Sequence, residues 1–177
     1  IRDRSGTERN ATQILEFAGM PSSLVATKNL DYIEATKELK AGDIDAFFCT
    51  AGLTTTVIDE LSKECDIRLI PLTDTVISKM LESSLAYTSE VIPAGTYTGQ
   101  TTDISTIGVK SVLITKADVS DDTIEQLTSL LFEKENEISY SNSLKLELTY
   151  DFATDDIPIP FHDGAKRYYK ACGYSTN

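Results

Sequence analysis

Three short stretches of the 177-residue sequence combine small and hydroxyl-bearing residues in patterns suited to capturing an anion. The first is Ser5-Gly6-Thr7-Glu8, at the start of a helical pattern. A helix start leaves backbone N–H groups without intrahelical acceptors and carries the positive end of the helix dipole, so a carboxylate or phosphate is stabilised there. Two hydroxyls add donors, and Gly6 lets a ligand approach the backbone closely. The second stretch is Thr50-Ala51-Gly52, followed by Leu53 and Thr54, where a predicted strand passes into a helix. Open α/β sheets hold their ligands outside the carboxyl ends of strands, and small residues leave room there. The third is Tyr97 in "PAGTY", whose ring or hydroxyl can enter a pocket. Each stretch also has a plainer role: an N-cap, a strand–helix turn, a packed loop tyrosine. No Gly-Lys-Ser/Thr follows the first, so it is not a phosphate loop.

Catalysis finds less support. Cys49 and His162 are the only pairing of nucleophile and base to consider, and no local signature surrounds either. The carboxylates show no pairing beyond solvated helix faces. Three cysteines without a Cys-x-x-Cys, and a single histidine, give no zinc pattern. If the strands before Cys49 and after Cys65 run parallel, the two thiols lie at opposite ends, beyond disulfide reach. The expectation is therefore no catalytic residue, no metal and no cofactor. A formal net charge of −12 repels nucleic-acid phosphates. No uncharged apolar run reaches the roughly 18–20 residues of a membrane-spanning helix.

The elements that must position these residues can be read from periodicity and caps. Thr7 to Ala18 carries Ala11, Ile14, Leu15, Phe17 and Ala18 at helical spacing, with Gly19 and Pro21 stopping it. Asp31 caps a second helix that Gly42 ends. Further helices are predicted from about Thr54 to Glu64, from Thr73 or Asp74 to about Leu81, after Ser120-Asp121-Asp122, and from Asp163-Gly164. "DIDAFF" and "DIRLIPL" read as buried strands lying side by side, with "LVATKNL" a shorter extended candidate. A loop from Pro93 to Thr101 precedes one or two strands between Asp103 and Thr115, and "LKLELTY" reads as extended. Helices and strands in this order predict an α/β fold, a mostly parallel sheet flanked by helices.

Six stretches in order resemble one family, the TAXI-type solute receptors of TRAP transporters: "SGTERNATQIL", "GDIDAFFCTAG", "LIPL", "IPAGTYTGQTTDISTIGV", "DVSDDTIEQLTSLLFE" and "FHDGAKRYYKACG". The resemblance implies a type II periplasmic-binding-protein-like receptor whose two lobes close on a ligand. On that footing the chain is expected to be a C-terminal fragment. Residues 1–102 would form the second ligand-binding lobe. Residues 103–177 would be a return segment whose helices, including a striped helix at 121–135, pack with a missing N-terminal lobe. The implied ligand is a small organic anion such as glutamate, the implied partner a TRAP-type membrane permease, and the implied location the periplasm, with a signal peptide in the precursor. Ser5, Gly6 and Thr7, then Thr50, Ala51 and Gly52, then Tyr97 match the family's binding motifs, in a binding role only. Two departures stand out: Arg4 where the family has glycine, and Asp163 where its closing motif has proline. The competing classes are a ligand-sensing domain of a transcription regulator, which an upstream helix-turn-helix would favour, and a hydrolase using Cys49 or His162, which a thiol titration would reveal.

Overall fold

The computed structural model describes residues 5–133 and 148–176, in two compact units, residues 1–108 and 109–177. The first unit holds helix α1 (Gly6–Phe17), a 3-10 turn (Ser22–Leu24), α2 (Tyr32–Ala41), α3 (Thr56–Glu64), α4 (Asp74–Ser83) and strand β1 (Tyr87–Ile92). Strand β2 (Ile104–Val109) closes it. The second unit holds α5 (Asp121–Phe132), α6 (Tyr150–Thr154) and α7 (Asp163–Ala171).

Helix starts follow the capping chemistry of the sequence. Ser5, Thr73 and Ser120 each accept a backbone N–H three residues on. Asp31 forms a full capping box with Glu34, and Gly42 takes the left-handed conformation (φ 78°) that ends α2.

The predicted parallel sheet is not what these residues form. Among the described residues the sheet is the β1–β2 pair alone. Gly108, near the end of β2, lies against Thr88 and Glu90 of the early part of β1. At the other end, Ala94 N–H donates to Asp103. End meets beginning, so the pair is antiparallel. "DIDAFF", "DIRLIPL" and "LVATKNL" join no ladder, apart from one bond from Leu72 N–H to Ser105 O of β2 (2.9 Å). Their apolar residues are nevertheless used. Phe48 and Leu72 pack with Phe17, Tyr87 and Ile107 around the buried core of Ile14, Val76 and Met80. The burial expected of these runs is not met, since Leu24 and Ile70 are 73% and 71% exposed and Phe48 and Leu72 only partly buried.

In the second unit α5 packs on α7 and buries Ile124 and Thr128, while Leu127 and Leu130 stay partly exposed. The apolar stripe of α5 is thus half covered within its own unit. Gly164 permits this approach: a Cβ there would overlap the Asp121 carbonyl oxygen and lie 3.0 Å from its carbonyl carbon. Of "LKLELTY", residues 144–147 lie outside the described residues, and Thr149, with extended backbone, is the N-cap of α6, whose first residue is Tyr150.

Candidate functional site

Ser5 sits just ahead of α1 with extended backbone, and its Oγ accepts Glu8 N–H at 3.1 Å. The first intrahelical bond runs from Arg9 N–H to Ser5 O. The N–H groups of Gly6 and Thr7 therefore have no partner among the described residues. Gly6 faces open space, since a Cβ there would meet nothing within 4 Å. An open depression of about 480 Å³, lined by Ser5, Gly6, Glu8, Arg9, Thr12 and Gln13, adjoins this helix start. It reaches Ser5 and Gly6 but not the other two motifs.

Tyr32 joins the first motif to the second, and sequence reasoning missed it. Its hydroxyl donates to Thr50 O at 3.1 Å, accepts Thr50 N–H at 3.0 Å, and lies 3.4 Å from Thr7 Oγ1. Two stretches more than 40 residues apart in sequence thus share one phenol. The only available signal was its position: a tyrosine immediately after a strong N-cap is held rigidly at the first turn of its helix. Ala51 and Gly52 continue from this clasp as exposed chain.

Tyr97 joins the third motif to the same region. It is only 7% exposed, and its hydroxyl accepts Thr55 N–H at 3.2 Å at the start of α3. Thr55, the N-cap of α3, makes no side-chain cap bond of its own. Thr54 beside it holds a left-handed φ of 58°. Burial raises the Tyr97 phenol above its ordinary value, opposed by the Thr55 backbone bond and reinforced by the nearby Cys49. Cys49 is raised too, by burial first, with the Tyr32 hydroxyl pulling the other way.

The loop that presents Tyr97 is built around Gln100, also missed in the sequence. Its side-chain amide donates to the carbonyls of Ile92, Pro93 and Thr102 and its Oε1 accepts Tyr97 N–H. Gly95 and Gly99, both at φ 80°, make the turns that wrap the chain around it. The hint lay in two glycines four residues apart.

The alternative chemistry gains nothing. Cys49, Cys65 and Cys172 are free thiols. His162, in the second unit, caps α7 by accepting Gly164 N–H at Nδ1 (3.1 Å). Among the described residues no group of three His, Cys, Asp or Glu is arranged to hold a metal, and no helix is long and apolar enough to cross a membrane.

A sequence model of the NMT1-like family matches residues 2–173, nearly the whole chain. The chain belongs to the NMT1-like family. This family is periplasmic-binding-protein-like, and its members are usually extracytoplasmic binding proteins. Membership gives the NMT1-like chain a solute-binding role in broad terms, and its mixed α/β structure of seven α-helices and a small sheet is consistent with a binding-protein lobe.

Proposed function

We propose that the chain is the ligand-binding part of a TAXI-type receptor, which captures a small organic anion between two lobes and delivers it to a TRAP-type membrane permease. Glutamate or a related carboxylate is the first ligand to test, the periplasm is the working location, and no catalytic step is assigned. The observation that carries the reading is the convergence of Ser5–Thr7 and Thr50–Gly52 at the Tyr32 hydroxyl, with Tyr97 bracing the next helix start. Beside that junction the Gly6 and Thr7 N–H groups point out of the positive end of a 12-residue helix. Two adjacent N–H donors there suit a carboxylate whatever the net charge of the chain.

Replacing Thr7 by Val tests the reading. It removes one hydroxyl hydrogen bond, worth about 0.5–1.5 kcal/mol, and leaves the helix cap at Ser5 intact. Calorimetry with L-glutamate should show affinity falling about 3- to 10-fold, with the melting temperature nearly unchanged. Undiminished affinity would remove the helix start from the site.

A further inference from the structure

His162 is the single histidine of the chain and stands just ahead of α7, its side chain only 10% exposed. Nδ1 accepts the Gly164 N–H at 3.1 Å, so the neutral ring carries its hydrogen on Nε2. That buried nitrogen has no hydrogen-bond partner among the described residues, and no bond on its side resists a turn of the ring. On the other side, Asp121 Oδ1 of α5 lies 3.8 Å from Nδ1, within about 1 Å of a charge-assisted hydrogen bond. The Asp121 backbone packs directly on Gly164, which fixes the carboxylate in that position.

The other charges around the ring are already engaged. From α5, Asp122 and Glu125 pair with Arg167 at 2.9 and 3.4 Å, and the second oxygen of Asp121 lies 3.7 Å from the same guanidinium. From α7 itself, Asp163 holds Lys166 at 3.0 Å. Asp121 Oδ1 is therefore the carboxylate oxygen placed to receive a hydrogen from Nδ1. Protonation supplies that hydrogen, and a nitrogen that carries one can no longer accept the Gly164 N–H. It also sets a cation against the positive end of the α7 dipole. We infer that His162 is a proton-operated switch at the α5–α7 junction: neutral, it caps α7, and protonated, it releases the Gly164 N–H and pairs with Asp121. The first turn of α7 loosens in acid, while the new ion pair keeps the helix start on α5.

The test is NMR on the full chain over about pH 5 to 8, the range in which histidine ordinarily changes charge. With one histidine in the chain, a single ring signal reports the switch directly. The hydrogen-exchange protection of the Gly164 amide, corrected for the intrinsic pH dependence of exchange, should fall about 3- to 10-fold along the ring titration. Amides in the second half of α7 should keep theirs. His162→Asn supplies a cap that does not titrate and should hold Gly164 protection constant across the range. Asp121→Asn keeps the cap, removes the receiving charge, and should move the ring titration and the loss of protection together to lower pH. Constant Gly164 protection through the wild-type ring titration overturns the inference. So does a transition that persists in His162→Asn, one that is unmoved in Asp121→Asn, or a wild-type ring that stays neutral throughout.

Discussion

Tyr97 is a residue whose sequence context suggested a ligand contact and whose hydroxyl already has an occupation. It accepts the Thr55 N–H at the one helix start, among those described, whose cap makes no side-chain bond. Tyr97→Phe should therefore lower stability by about 1–2 kcal/mol, because a part-buried N–H loses its acceptor, and denaturant titration would read it. Cys49 and Tyr97 also set an alkaline limit. Burial holds both above their ordinary values of 9.0 and 10.0, so an unfolded chain sheds these protons first. Their contribution is present in full below about pH 9 and is lost as pH rises through the raised values. Alkaline denaturation should set in as pH rises above about 9, and less steeply in Cys49→Ala. At this scale the structure brings Thr7 and Thr50 to one hydroxyl, while Tyr97 bonds Thr55 and Ser5 caps its own helix. What was hidden was the side chain linking Thr7 to Thr50. A tyrosine at the first turn of a helix has the same local signature whether it points into solvent or clasps a loop 18 residues on.

Among the elements, the longer helices were readable, and of the strands only β2, within the expected Asp103–Thr115 stretch. A helix is announced by a cap and a period within a dozen residues, as at Ser5, Asp31 and Ser120. A strand is completed by a partner whose position no local pattern states, and "DIDAFF" and "DIRLIPL", read as buried strands, are unpaired and at most partly buried, with Ile70 71% exposed. The α5–α7 junction gives the sharpest test at this scale. Gly164→Ala drives a Cβ into the Asp121 backbone, which cannot turn aside, and should cost about 3 kcal/mol despite the better helix propensity of alanine. Gly108→Ala meets Glu90 Cγ at 2.7 Å and Thr88 Oγ1 at 2.8 Å, side-chain rather than backbone atoms, which must shift and give up their mutual hydrogen bond. That change should cost about 1 kcal/mol, less than at Gly164. Equal denaturation midpoints for the two variants would show that α7 is not held against α5 by this contact.

For the molecule as a whole, a net charge of −12 would oppose the approach of the anion proposed above, which the local donors of α1 would have to capture against the global field. The on-rate for glutamate should therefore rise as salt is raised from about 10 to 200 mM, the reverse of an electrostatically steered encounter. Stopped-flow tyrosine fluorescence can follow it, because the chain contains no tryptophan. At this scale a periplasmic-binding-protein-like family was legible, from stretches spread along the chain, and the NMT1-like match spans residues 2–173. The Tyr87 hydroxyl, within 3.0 Å of both Asn10 and Gln13, also sets an order in time. That contact seats α1 on β1 across 77 residues, whereas the Tyr32–Thr50 clasp spans 18. Closing the longer loop costs about 1.3 kcal/mol more chain entropy. On loop entropy alone a refolding chain is expected to regain its clasp before the seat of α1.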